Sequence, residues 1–201
     1  MTTKINIPVL AAKLGKKSSE RKLPNGSMVK QIIWGGSDLP QIARLLHNQS
    51  AEMDDCVLID GPAPAWLVAA LVHEVHPRAV KVNSPDGFVP IGVQKPMGEG
   101  SGNNLEFIVS KKGDWTWVTC QMKDPAVPLS PEDLSNVVPP AVPMGSKIII
   151  SGRIPHWLSA SLAMAYHGVA KAVALYQPGT GATVAWTHSR EVGLGTVIPE
   201  E

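Results

Sequence analysis

The sequence predicts an α/β fold of two similar halves, each built around a mostly parallel, Rossmann-like sheet. Short apolar strands rich in valine and isoleucine alternate with helix-length apolar segments, a pattern typical of parallel sheets covered by helices. The chain also repeats itself, since CVLIDGPAPAWL at 56–67 and KIIISGRIPHWL at 147–158 lie 91 positions apart. Each copy reads as a strand, a glycine turn, a proline and a Trp-Leu helix. We therefore expect two tandem Rossmann-like domains that form an intramolecular pseudo-dimer.

The composition narrows the class of protein. The chain has 201 residues, 44% of them hydrophobic and 17% charged, with a formal net charge of +1. This balance favours a globular protein with a substantial core and argues against one that coats DNA. No apolar run reaches the length of a membrane span, and the N-terminus does not read as a secretory signal, so we expect a cytoplasmic protein. Cys56 and Cys120 are predicted to be buried thiols rather than a disulfide or a metal pair.

The segment KPMGEGSGNN at 95–104 predicts the boundary between the halves. Its glycine and serine content is typical of a flexible linker. The predicted domains are therefore 1–97 and 102–201, the second being the more regular.

The second half reads clearly, element by element. A hairpin is expected first, and a short helix then begins at an N-cap serine followed by proline. A buried strand, a long apolar helix and two more strands complete the half. The predicted ranges are 105–110 and 115–122 for the hairpin, 130–138 for the short helix, 147–151 for the strand, 155–166 for the long helix, and 170–176 and 182–188 for the last strands.

The first half repeats this order more loosely. We expect strands at 28–34, 56–60, 79–82 and 88–93, and helices at 39–47 and 64–75. INIPVLA at 5–11 is predicted as a strand of a hairpin whose loop, 13–26, is long, basic and mobile.

The two glycine turns are candidate anion sites. A tight turn followed by a helix N-terminus presents unpaired N–H groups and a partial positive charge. Arg153 adds a fork-shaped donor suited to phosphate, whereas Pro62 stands opposite it in the first copy. The alternative is an ordinary strand-to-helix connection with Trp157 in the core. The candidate ligand contacts in the two turns are Gly61, Pro62, Ala63 and Trp66 in the first copy, and Gly152, Arg153, Ile154, Pro155, His156 and Trp157 in the second. Two candidates lie outside the turns: His188, and Ser37, which is also a candidate helix cap.

The histidines supply the other candidate chemistry. His76 and His167 end equivalent helices, where each is either a helix cap or a metal ligand or general acid–base. His188 ends a strand and is a further candidate. His47 and His73 are expected to face solvent. Trp115 and Trp117 alternate on one strand face, which favours sheet packing over base stacking.

The second half resembles a known family. The stretch GRIPHWLSASLAMAYHGVAKAVALYQPGTGATVAWTHSREVGLGTVI at 152–198 is similar to the small CRISPR-associated proteins of the Csx-three type. The shared features are GRxPxWL, a helix ending in Tyr and His, a strand that reads V-A-L-Y here and V-A-V-Y in the family, a strand ending in His, and a final Gly-x-Val-Ile. GPAPAWL in the first half is a weaker second copy, so the chain resembles a tandem fusion.

The resemblance implies a CARF-like fold and a specific ligand. Proteins of this type bind cyclic tetra-adenylate, the second messenger of type III CRISPR defence, and open it with manganese as ring nucleases that switch the response off. They work as homodimers that can stack further across the ligand. By resemblance, Gly152, Arg153, Pro155 and Trp157 fall on the binding turn, and His167 falls on the functional histidine, with His76 as its first-half counterpart. His167, His76 and Arg153 are then the expected catalytic residues, and His167 and His76 the expected manganese ligands.

One part of the family pattern is missing. An Asp-Pro-Arg turn is expected after the V-A-V-Y strand, and the chain has 177–179, Gln-Pro-Gly, and 84–86, Ser-Pro-Asp, at these positions. Asp86 is a shifted candidate for the missing carboxylate. The loss leaves three functions open: a ring nuclease, a sponge or sensor that captures the intact messenger, and a protein that binds linear adenosine-rich RNA.

Overall fold

The computed structural model describes residues 1–22 and 25–200 and shows a mixed α/β protein with three β-sheets. The elements of the first half are β1 (Thr3–Asn6), α1 (Ile7–Lys13), β2 (Ser18–Lys22), β3 (Met28–Ile32), α2 (Leu39–Gln49), β4 (Cys56–Asp60), α3 (Ala65–Val75), β5 (Ala79–Ser84) and β6 (Gly87–Pro90). Those of the second half are β7 (Leu105–Lys112), β8 (Trp115–Met122), β9 (Lys147–Ser151), α4 (His156–Ala165), β10 (Ala172–Gln177), β11 (Gly181–Thr187) and β12 (Val197–Ile198). Short 3₁₀ helices lie at Gly36–Asp38, Ser50–Glu52 and Pro131–Asn136.

Each half contributes one main sheet. The first has four strands in the order β1-β4-β5-β6, of which β1, β4 and β5 are parallel. The second has six strands in the order β12-β11-β10-β9-β8-β7, with β8, β9 and β10 parallel at its centre. Strands β2 and β3 form a separate hairpin. The predicted α/β class is therefore confirmed.

The second sheet is apolar on both faces. On β9, Ile148 and Ile150 pack into the main core, whereas Ile149 joins a smaller cluster on the opposite, outer face. Because successive strand side chains point to opposite faces, an unbroken run such as KIIIS suits a central strand covered on both sides.

The repeat in the sequence is also a repeat of structure. Strands β4 and β9 and helices α3 and α4 begin 91 positions apart. Both turns contain a glycine with positive φ, 110° at Gly61 and 133° at Gly152. A Cβ on Gly152 would lie 1.8 Å from the carbonyl oxygen of Cys120, so the turn at the end of β9 requires glycine.

The two repeated helices lie at the centre of the core. Helix α3 packs against α4 and against β11 of the second sheet, while α4 also contacts β5 of the first sheet. One hydrophobic cluster takes side chains from both halves. The residues at the two ends of α3 and α4 are therefore brought together across the halves.

Three predictions about the connections are wrong. INIPVLA is not one strand: β1 ends at Asn6, whose side chain accepts a hydrogen bond from Val9 N and starts α1. The predicted loop 13–26 contains β2, although residues 23 and 24 of it lie outside the described residues. The linker 95–104 is held by backbone hydrogen bonds, among them Met97 N to Pro139 O and Ser101 N to Val138 O.

The remaining expectations concern the short helix, the cysteines and the membrane. The predicted helix at 130–138 is a 3₁₀ helix, Pro131–Asn136, in which Asp133 caps the backbone N–H of Ser130. Both cysteines are free thiols; Cys120 is buried and Cys56 is partly exposed. Among residues 1–22 and 25–200, no helix is both long enough and apolar enough to cross a bilayer.

Candidate functional site

A large cleft opens at the carboxyl ends of β8, β9 and β10. It has a volume of about 1090 Å³ and continues onto the outer face of the second sheet. Among its lining residues are Lys112, Trp117 and Thr119 on or beside β8, Gly152, Arg153, Ile154 and His156 in the second turn, and Tyr176 and Gln177 at the end of β10. Ligands of open parallel sheets bind at this edge, so the cleft is the main candidate binding site in the described structure.

The second glycine turn places two basic side chains in this cleft. Pro155 is the extended N-cap of α4. Arg153, in the turn before it, and His156, the first residue of the helix, are both exposed at the positive end of α4. Although much of its surface is exposed, the surrounding protein atoms exclude part of the solvent and lower the pKa of His156, which favours the neutral imidazole. Within the described residues, Arg153 has no carboxylate at ion-pair distance, which leaves its guanidinium free for an anion.

The first half contributes to the cleft through one helix. Trp66, near the start of α3, lines it together with Pro64 and Ala65. The Trp66 indole Nε1 donates a hydrogen bond to Gln177 Oε1 over 3.2 Å. Gln177 is the first residue of the turn in which the family pattern has an aspartate.

The first glycine turn is not an equivalent open site. Gly61 packs against α1, since a Cβ there would lie 2.7 Å from Pro8 Cδ. Asp60 beside it forms an ion pair with Lys4 at 2.7 Å and accepts a hydrogen bond from Asn83. Gly61, Pro62 and Ala63 do not line the cleft.

Four other predicted ligand contacts also lie outside the cleft. Trp157 is buried in the main core with only 6% of its surface exposed. Pro155 caps α4 without lining the cleft, and Ser37 is exposed in the 3₁₀ turn whose Gly36 packs against Gly195. His188 lies at the other end of the sheet.

The histidines form a cluster at that opposite end. One ligand atom from each of His73, His167 and His188 lies within 4.8 Å of the others. The ring of His76 lies 4.8 Å from that of His167 between centroids. The two repeat-equivalent histidines are thus neighbours because α3 and α4 pack together and end side by side.

His73 is the member that sequence reasoning missed. It was expected to face solvent, but it is half-buried and stacks on Trp186, with 5.2 Å between ring centroids and 9° between planes. Its Nδ1 is buried and makes no hydrogen bond, since the carboxylate oxygen of Glu74 lies 3.6 Å away. The helical spacing of His73 and His76, on the same face three residues apart, was a usable signal. His47 is exposed, as predicted.

The cluster fits a divalent transition metal. Burial, followed by the nearby charges of His73, His76 and His188, lowers the pKa of His167, and the neutral imidazole is the form that binds metal. Three imidazoles suit zinc, cobalt or nickel, and manganese binds more weakly to such a donor set. His73, His167 and His188 are therefore the ligands that would hold an ion, with His76 beside them.

The cleft and the cluster are separated by the length of a helix. Arg153 precedes α4 and His167 follows it, and the ten residues of α4 span about 15 Å. The sequence pattern predicted that the binding turn and the histidines form one site. The fold divides them into a basic cleft at one end of the molecule and a histidine cluster at the other.

The second half carries a family match that covers both places. Residues 122–199 match the family of the CRISPR-associated protein (Cas_csx3). The resemblance noted in the sequence is confirmed for this segment, which is 78 of the 201 residues. It includes Arg153, His156 and Tyr176 of the cleft and His167 and His188 of the cluster.

The Cas_csx3 match does not extend to the first half. Trp66, which reaches into the cleft, and His73 and His76, which complete the cluster, lie before residue 122. Both candidate sites are therefore built from a Cas_csx3-like segment together with residues from outside it.

Proposed function

We propose that this protein binds cyclic tetra-adenylate in the cleft and opens the ring, acting as a ring nuclease of type III CRISPR defence. The observation that supports binding is the basic, aromatic-lined cleft on the Cas_csx3-like half. Arg153 and the N–H groups at the start of α4 suit the phosphates of an oligonucleotide. A cleft of about 1090 Å³ is at the upper end of the range for small-ligand pockets, which suits a ligand of several nucleotides.

The same proposal treats the chain as a pseudo-dimer of two CARF-like domains, 1–97 and 102–201. The repeated β4–α3 and β9–α4 units and the contact between His76 and His167 support it. The pseudo-dimer is asymmetric, since only the second turn opens into a cleft. Further association of two such chains is part of the proposal.

Ring opening follows the chemistry of ribose phosphates. A 2′-hydroxyl attacks the adjacent phosphorus, the bond to the 5′-oxygen breaks, and a 2′,3′-cyclic phosphate remains. A neutral imidazole takes the proton of the attacking hydroxyl, a water molecule gives one to the departing 5′-oxygen, and an arginine stabilises the phosphoryl oxygens. His76 is free for such proton transfer, because it lies outside the converging triad of His73, His167 and His188. A metal ion held by that triad, manganese by the resemblance, supplies Lewis-acid stabilisation of the phosphate charge when it is bound.

Two copies of the chain are needed for this reaction. A ring held at Arg153 lies a helix length from the histidines of its own chain. If copies stack end to end, the histidine cluster of one copy faces the cleft of the next. We therefore propose that turnover depends on protein concentration and that the stacked copies enclose the ligand.

A second candidate function is capture without cleavage, as a sponge or sensor. The turn at Gln177–Gly179 favours it, because it has neither the aspartate nor the arginine of the family pattern, and Gln177 is engaged by Trp66. Asp86, the shifted candidate for the carboxylate, lies beyond β5 in the other half, where its backbone N–H donates to Ser84 Oγ.

The test is incubation with cyclic tetra-adenylate and either manganese or zinc, followed by chromatography with mass detection. The ring-nuclease proposal is supported if the wild type converts the ring to linear products. His167→Ala and His76→Ala should then lose this conversion, and the exposed control His47→Ala should keep it. Intact ring that co-elutes with the protein supports capture. Absence of both binding and conversion would overturn the proposal.

A further inference from the structure

The outer face of the second sheet carries an aromatic pair at the cleft. Trp117 on β8 and Tyr176 on β10 are both half-buried, and their ring centroids are 5.4 Å apart with a 53° angle between planes. Trp115, one pleat away, is 92% buried and packs with Ile149 beneath the cleft wall. Both tryptophans line the cleft, but Trp115 is almost wholly buried in its wall, whereas Trp117 keeps an accessible face.

Polar and charged groups surround this aromatic pair. Lys112 Nζ lies 4.6 Å from the centre of the Trp117 ring. At the floor, Thr119 Oγ1 and Ser151 Oγ share a hydrogen bond of 2.7 Å, and Ser151 is only 8% exposed. Since one hydroxyl proton satisfies this bond, the pair keeps a second proton and further lone pairs for a ligand.

The balance of charge favours an anionic ligand. Asp114, at the cleft wall, is paired with Lys147, and the carboxylate of Glu200 accepts from the Tyr176 hydroxyl. Lys112 and Arg153 have no carboxylate within ion-pair distance among the described residues. Two cations, Lys112 and Arg153, are therefore left without an ion pair, against one such carboxylate, Glu200, which is held by the neutral Tyr176 hydroxyl and the Gly179 N–H.

We infer that Trp117 and Tyr176 form a nucleobase-stacking subsite, which holds one base of an oligonucleotide whose phosphate lies on Arg153. Aromatic side chains next to cations are the combination by which proteins bind single-stranded nucleotides, because every base offers a π-face. The hydroxyls of Thr119 and Ser151 meet the polar edge of the same nucleotide. This inference rests on the proposed function, which supplies the class of ligand, and it adds the residues that bind the base.

Within the described residues, the subsite exists in only one half. Ala79 on β5 and Ala172 on β10 pair with the equivalent residues Cys56 and Lys147, which places Asn83 opposite Tyr176. Strand β1, which occupies the place of β8 beside its parallel neighbour, has no aromatic residue. The ligand is therefore held by one strongly bound nucleotide rather than by two equivalent ones. A two-fold symmetric ring would bind in several equivalent registers, each with a different adenine in the subsite.

The test distinguishes stacking on an aromatic ring from contact with an apolar side chain of any kind. Trp117→Leu and Tyr176→Leu remove a π-face, and Trp117→Phe keeps one. The matched control is Phe88→Leu, since Phe88 is an exposed aromatic residue with Lys4 Nζ 5.8 Å from its ring at the corresponding edge of the first sheet. Circular dichroism and thermal melting establish that each variant is folded.

The probes are cyclic tetra-adenylate, titrated by calorimetry, and 2-aminopurine riboside 5′-monophosphate, whose fluorescence is quenched when its base stacks. We expect each leucine variant to bind about 5- to 150-fold more weakly, the range for stacking of one base, and to lose the quenching. Trp117→Phe and Phe88→Leu keep both. Unchanged affinity and quenching in the folded leucine variants would overturn the subsite even if the ring still binds. Quenching of the mononucleotide without any binding of the ring would overturn the proposed function and leave the subsite standing.

Discussion

Trp66 and Gln177 join the two halves at the edge of the cleft, through a 3.2 Å hydrogen bond from the indole Nε1 to the amide oxygen. Trp66 comes from the first copy of the repeat, and Gln177 stands where the family pattern has an aspartate. Because the indole donates to it, residue 177 helps to fix the position of α3 against the second sheet. The glutamine that stands in place of the family's aspartate therefore has a defined contact, the indole of Trp66.

This bond is expected to contribute to stability. Removal of either partner should cost about 0.5–1.5 kcal/mol, since the bond is partly buried and joins two neutral groups. We predict that Trp66→Phe and Gln177→Ala are less than additive in a double-mutant cycle measured by urea denaturation. Full additivity would show that the two side chains do not interact.

The histidine cluster should bind metals in a definite order. Zinc and cobalt(II) are expected to raise the melting temperature more than manganese at equal concentration, because the three ligands are imidazoles. At a metal concentration 100 times the Kd, the gain is about 2.7 kcal/mol.

The metal prediction has a spectroscopic readout. The visible absorption of bound cobalt(II) should disappear in His73→Ala and in His167→Ala and persist in His47→Ala. A cobalt spectrum that is unaffected by His73→Ala would place the ion elsewhere.

Glycine at the second turn should be irreplaceable. Gly152→Ala combines a φ of 133° with a Cβ 1.8 Å from the carbonyl oxygen of Cys120. Backbone strain of this kind costs about 1–3 kcal/mol by itself, and the clash adds to it. The control is Gly145→Ala, where φ is 77° but no atom lies within 4 Å of the added Cβ, so only about 1–2 kcal/mol is expected. Equal melting temperatures for the two variants would contradict the close approach of the turn to β8.

Stability should fall at alkaline pH because of Cys120. Burial raises the pKa of its thiol to about 12, whereas a solvated thiol ionises near about 8.5. The folded-state pKa is the higher one, so this contribution is complete below pH ~8.5 and is lost as the pH rises towards 12.

The comparison is between wild type and Cys120→Ala, both denatured with urea at pH 7.5 and pH 9.5. Between the two pH values, the free energy of unfolding should fall by up to about 1.4 kcal/mol more in the wild type than in the variant. This amount corresponds to a pH one unit above the pKa of the unfolded thiol. An identical loss in both proteins would mean that Cys120 is not buried as described.

The elements of the repeat were predictable from sequence because their signals are local. Apolar runs bounded by Gly61 and Gly152, and prolines before the Trp-Leu helices, define β4, α3, β9 and α4 to within a residue or two. Asn6 followed by Pro8 is a local capping signal, and it ends the first strand earlier than the predicted range 5–11. The order in the linker came from long-range pairing with Pro139 and Val138, which no local pattern reveals.

The candidate site was harder to predict because it depends on how the halves pack. His73 joins His167 and Trp66 reaches Gln177 only because α3 lies against α4 and the second sheet. For the same reason the sequence did not show that the turn and the histidines lie at opposite ends of α4. The equivalence of the two turns was also overestimated, since Pro8 fills the space beside Gly61.

The central claim is that the cleft at Arg153 binds cyclic tetra-adenylate, and calorimetric titration of the ring into wild type, Arg153→Ala and the exposed control Arg44→Ala tests it most directly. We expect saturable binding that weakens with added salt, a loss of about tenfold or more in Arg153→Ala, and no change in Arg44→Ala. No binding to wild type, or equal affinity in Arg153→Ala, would contradict the account.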